Sequence, residues 1–142
     1  MTNLTTRVMI AAATLVVAAG GASAQTLKAE IPFTFRASGV VMQAGTYRVN
    51  VDKLTGRPMF RLWSANDHRS VILLSGASRD PDKAWTASGN PVLSFECADS
   101  HCALAGIWTG NAMPAYTFPR PKAGRDEPTR TALVVMRPDK GD

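Results

Sequence analysis

The densest group of chemically able side chains in the sequence is Cys97-Ala-Asp-Ser-His-Cys102. Two thiolates, an imidazole and the Asp99 carboxylate would suit zinc or another borderline-soft metal. Zinc sites usually recruit a second short pair from elsewhere in the chain, and only 2 Cys and 2 His are present. The even cysteine count favours a disulfide between Cys97 and Cys102 across the neck of a hairpin, the form such a pair takes in an oxidising compartment. The disulfide is the expectation, with Cys97, Asp99, His101 and Cys102 as metal ligands the alternative. The Cys-x-x-Cys redox spacing is missing, and no cofactor is expected.

Nucleophilic catalysis needs a base, and the candidates are His68 and His101. Neither Gly-x-Ser-x-Gly nor Ser-x-x-Lys occurs. His68, in Asn-Asp-His-Arg-Ser, falls in a polar, turn-rich stretch. Carboxylate pairs for sugar hydrolysis would have to come from Asp52, Asp67, Asp80, Asp82 or Asp99, most of them in turns where Asp bonds nearby backbone amides. Asp80-Pro-Asp82 lacks the spaced ligand series of a calcium loop, and no Gly-rich phosphate loop exists. No catalytic residue is expected. Aromatic side chains are the remaining candidates for recognition. Trp85 lies in a long polar loop, Trp108 ends a strand beside Ile107, and Tyr116 follows in the next loop; these three are the candidate ligand-binding residues. The competing reading for Trp85 is that it folds back over the core.

Strands must position these groups. Leu27, Ala29, Ile31, Phe33 and Phe35 alternate strictly with polar residues or Pro, the period of a strand with one buried face. Pro32 cannot donate to a ladder, so this is an edge strand or one that changes partners near its middle. Ser38-Gly39 forms a turn before Val40–Met42. Tyr47, Val49 and Val51 alternate, as do Phe60 and Leu62, and Val71–Leu74 is a continuous apolar run. Leu93, Phe95 and Cys97 alternate before the chain returns through 102–109. Long loops span 76–90 and 110–130, a last strand spans Thr131 to Met136, and a polar, flexible tail follows. In Ala44-Gly45-Thr46-Tyr47, Gly45 relaxes the backbone while Tyr47 buries its ring and turns its hydroxyl to a backbone partner, a structural corner. About seven strands joined by turns predict an all-β fold, a single antiparallel β-sandwich, with a small closed barrel as the alternative.

Phe33-x-Phe35, Ala44-Gly45-Thr46-Tyr47-Arg48-Val49, Leu93-x-Phe95 and Leu104-x-x-Ile107-Trp108 resemble, in order and spacing, a family of small secreted bacterial proteins common in soil acidobacteria. The resemblance covers most of residues 27–110. Gln43 stands where that family usually has Pro, and the cysteine pair is not part of its pattern. It implies an exported β-domain and offers no catalytic or ligand residue to carry over.

Residues 1–24 have the form of a secretory signal peptide: Arg7, an apolar run from Val8 to Ala19, and Ala22-Ser23-Ala24 before Gln25. The run breaks at Gly20-Gly21, short of the roughly 20 residues of a spanning helix. Residues 25–142 then form one domain, secreted or periplasmic, with no transmembrane segment after processing. The net charge is +5, but the cations scatter, the pattern of a solvated surface rather than a nucleic-acid patch. The function these features imply is a non-enzymatic binding or envelope-associated accessory protein for a ligand or partner the sequence does not name. A small secreted hydrolase and an assembly subunit using strand addition through its first strand are the alternatives.

Overall fold

The computed structural model describes residues 26–52, 58–99, 101–119 and 128–139. The signal-peptide expectation lies outside them. Two β-sheets pack face to face and remain separate, so the fold is the sandwich and not the closed barrel. The first sheet has the order β12-β1-β4-β5-β6, built from β1 (Thr26–Ile31), β4 (Gly45–Asp52), β5 (Met59–Ser64), β6 (Ser70–Leu74) and β12 (Arg137–Pro138). The second runs β11-β8-β9-β10-β7, from β7 (Ser78–Arg79), β8 (Val92–Ala98), β9 (His101–Trp108), β10 (Ala115–Thr117) and β11 (Thr129–Val135). The hairpin of β2 (Phe35–Ala37) and β3 (Val40–Met42) joins it, with β2 parallel to β9 at Arg36 and Ala103.

The alternating segment Leu27 to Arg36 divides between the sheets. β1 pairs with β4 along its length, the chain crosses at Pro32-Phe33-Thr34, and β2 enters the second sheet. Pro32, without an N–H, occupies the gap where neither ladder needs one. The first strand therefore changes partners rather than forming an open edge, and β12 covers its other side at Leu27 and Lys28. The crossing carries Phe35 into the core. Its ring meets Tyr47 of the first sheet at 5.3 Å and Phe95 of the second at 5.3 Å, both edge-on. Phe60 closes the other side of the sandwich against Phe118 and Tyr116, at 5.6 and 5.7 Å.

The Tyr47 corner forms as expected. Its ring is fully buried, and its hydroxyl donates to the Gln43 carbonyl. Burial pushes the phenol above its ordinary pKa. A Cβ at Gly45 would lie 2.9 Å from Asn66 Oδ1, the atom that accepts from the Thr46 amide, so a larger residue there would push the Asn66 side chain off that bond.

The strand count departs from about seven because β2, β3, β7, β10 and β12 have only two or three residues, too few for alternation to register. Both long loops contain structure. The first holds β7 and helix α1 (Lys83–Ser88), which ends at Gly89 with φ 74°, a left-handed cap that Gly adopts without strain. The second holds β10. Part of the polar tail is ordered: Arg137 and Pro138 pair with β1, and Arg48 Nε lies 3.0 Å from the Asp139 carboxylate.

Cys97 and Cys102 are directly opposed on β8 and β9, with Cα atoms 4.0 Å apart, and are bonded to each other. The metal alternative thereby loses both thiolates. Closing so short a loop removes about 2 kcal/mol of denatured-state entropy. Reduction is expected to lower stability by about that amount, measured as a shift in the urea midpoint. Thiol labelling of the unfolded, unreduced chain should find no reactive sulfur.

Candidate functional site

Trp85, Trp108 and Tyr116 are brought to neighbouring positions at one end of the second sheet, but not as an exposed platform. On β9, Ala105 is an extra residue: Phe95 pairs with Leu104 and Ser94 with Gly106. This bulge turns Ile107 into the main core and sends Trp108 to the outer face. There Trp108, Trp85, Val92 and Ala115 form a second, small core beneath α1. The Trp108 indole N–H donates to the Met113 carbonyl at 2.8 Å. Trp85 is 4% exposed and Trp108 1%, so both rings are spent on packing because the loop containing Trp85 folds back as a helix. Tyr116, half-buried, leans inward on Phe60.

A pocket of about 160 Å³ lies beside this small core, lined by residues including Arg79, Trp85, Ser94, Glu96 and Tyr116. At that size it lies below the ~300 Å³ of ordinary ligand sites. The Arg79 guanidinium stacks 5.7 Å over the Trp85 ring and reaches Asp82 at 3.4 Å. The pocket is a packing seam with polar walls.

The two histidines sit on different hairpins of different sheets. His68, at φ 58°, stacks on Trp63 at 5.6 Å in the β5–β6 turn of the first sheet. His101 is exposed where β9 begins in the second. A hydrogen bond with the Ser64 side chain, reinforced by the Arg69 amide, holds the Asp67 carboxyl below the usual range. That carboxylate serves the turn, as Asp does in such segments. Among the described residues no group of three His, Cys, Asp or Glu is placed to hold a metal.

The strongest candidate surface is an edge that the sequence reading missed. Edge strands attract other chains unless they are short, charged, bulged or covered. The ends β12 and β7, and the appended β3, have two or three residues each. β11 is longer, but it contains Arg130 and follows Pro128, and the groove beside it is lined by Lys28, Glu30 and Arg137. β6, Ser-Val-Ile-Leu-Leu, has no charge, Pro or bulge. Val71 and Leu73 point into the core, while Ile72 and Leu74 are 48% and 66% exposed. Beside this edge runs a groove of about 600 Å³, lined among the described residues by uncharged side chains, those of Ile72, Leu73, Leu74, Phe118 and Pro119 with the Ser38-Gly39 turn.

The ladder register shows which backbone groups of β6 face outward. The Ser64 amide donates to the Arg69 carbonyl at 2.7 Å. Hydrogen-bonded and non-bonded pairs alternate in an antiparallel ladder. Val71 and Leu73, opposite Leu62 and Phe60, therefore bond to β5. The N–H and C=O groups of Ser70, Ile72 and Leu74 point away from β5, to the side where no described strand pairs with them. The signal in the sequence was the run Val71–Leu74 itself, apolar on both faces in a fold whose other long strands mostly alternate.

No described helix is long and apolar enough to cross a membrane. Comparison with family models, with curated proteins and with solved structures finds no match to the chain.

Proposed function

We propose that the chain is an exported, non-enzymatic binding domain that takes up an extended, apolar segment along β6 by strand addition. The observation that carries this is the uncharged five-residue edge with Ile72 and Leu74 exposed beside an apolar groove. In this mode main-chain hydrogen bonds supply affinity and alternate side chains supply specificity. The added strand bonds to Ser70, Ile72 and Leu74 and lays side chains into the groove over Phe118. The Cys97–Cys102 disulfide and the leader-like residues 1–24 support export, for which the check is an N-terminus at Gln25 in the secreted or periplasmic fraction. Placement of His68 and His101 on hairpins of opposite sheets supports a role without catalysis. The first strand is not available for strand addition, because β4 pairs along β1 on one side and β12 covers Leu27 and Lys28 on the other.

The test is titration of a short acetylated peptide of alternating Val and Thr into dilute chain, followed through backbone amide resonances. The amides of Ser70, Ile72 and Leu74 shift saturably. The Ile72 N–H points away from β5, so Ile72→Pro removes an outward donor without breaking the β5–β6 ladder, and it abolishes the shifts. Binding that persists in Ile72→Pro, or that maps to the Arg79–Trp85 pocket, contradicts the proposal.

A further inference from the structure

We infer that the segment this edge receives is the β6 strand of a second copy of the chain, paired antiparallel about a two-fold axis through Ile72. The inference rests on the reading of β6 as the binding surface and names its occupant. The outward-facing residues, Ser70, Ile72 and Leu74, are spaced symmetrically about the centre of the strand. With the axis at Ile72, Ile72 exchanges both main-chain bonds with the partner's Ile72. Ser70 does the same with the partner's Leu74, and Leu74 with the partner's Ser70. Every outward donor and acceptor of the strand is then satisfied, as an isologous contact requires.

Charge points the same way. The chain is basic, at +5 overall, so association of two copies must avoid opposing cations. Among the described residues, β6 and its groove carry none. Arg69 lies at one end of the strand only, and antiparallel pairing sets it across from the partner's Ser75 rather than the partner's Arg69. On the outer face, Ile72 meets its own counterpart and Leu74 lies beside the partner's Ser70, covering the largest exposed apolar side chains of this sheet. The two grooves then face each other across the axis, each floored by Phe118. The pairing closes at two copies. It uses the edge that lacks protection among the described residues and leaves outside the short edges and the charge-flanked β11, so it builds no fibre.

Sedimentation equilibrium from about 1 to 100 μM tests this with the natural chain. A monomer–dimer equilibrium is expected, and Ile72→Pro, which removes the central bond from each copy, raises the dissociation constant by about 100-fold. Ile72→Lys, which sets two ammonium groups face to face, does the same should the Pro variant fold poorly. Ile72→Cys cross-links two copies under oxidising conditions, since hydrogen-bonded pairs hold their Cα atoms about 5.5 Å apart. Ser70→Cys does not, because that residue faces the partner's Leu74. A natural chain that stays monomeric at 100 μM, or a dimer indifferent to Ile72→Pro and Ile72→Lys, overturns the inference. If the chain is monomeric yet binds the Val/Thr peptide at β6, the second copy is wrong and the edge reading stands. Failure of both removes the edge reading as well.

Discussion

Phe35→Ala is expected to lose about 3–5 kcal/mol, the usual result of emptying a buried aromatic site. Against a total of about 5–15 kcal/mol for a domain of this kind, that leaves a fold near its limit. The size follows from where Phe35 sits. It belongs to the second sheet through β2, is 1% exposed, and touches Tyr47 across the sandwich and Phe95 beside it. Its loss leaves a void between the sheets where both rings had packed. With a urea slope of about 1–3 kcal/mol/M, the midpoint should fall by more than about 1 M. Phe33 provides the internal comparison. It is half-buried at the crossing, with an edge-on contact to Phe95 at 4.9 Å, so Phe33→Ala should lose about 1–2 kcal/mol by the area it covers. A Phe33 variant as damaged as the Phe35 variant would contradict the account of how the divided strand packs.

Trp108→Ala has a comparable expected effect, about 3–5 kcal/mol, with a different local signature. Trp108 fills the small core under α1 and holds Met113 through its indole N–H. Removing it empties most of the small core that Trp85 shares, so α1 should loosen while the main core between the sheets persists. Limited trypsin digestion reads this directly, through faster cleavage at Arg79 and Lys83. Trp108→Phe keeps most of the ring packing and loses the bond to Met113, for about 1 kcal/mol. Cleavage unchanged in Trp108→Ala would show that α1 does not depend on this core.

The particular strands show what was legible in the sequence and what was not. Alternation in Leu27–Phe35, Tyr47–Val51 and Leu93–Cys97 marks inward faces, because a period of two survives whatever the strands pair with. The break at Pro32 was visible as a missing donor. Its outcome, a passage from one sheet to the other, depends on long-range pairing with β4 and β9 that local pattern does not encode. The bulge at Ala105 was written in the spacing of Leu104 and Ile107, three residues where a regular strand would have two. Trp85 and Trp108 looked available for recognition because one lies in a polar loop and the other at a strand end. Only the fold of α1 over the outer face reveals that they share one small core. Cys97 and Cys102 were predictable because a hairpin is a local structure. The β6 edge was hidden for the opposite reason. A continuous apolar run suggests burial on both faces, and whether a strand lies inside a sheet or at its rim is a property of topology.

Hydrogen exchange of the β6 amides, followed at successive dilutions, tests the open edge most directly. The account predicts that Val71 and Leu73, bonded to β5, exchange slowly at every concentration, while Ser70, Ile72 and Leu74 exchange quickly once the chain is dilute. An Ile72 amide as slow as that of Leu73 at every dilution would contradict it, because the edge would then be covered by the chain itself.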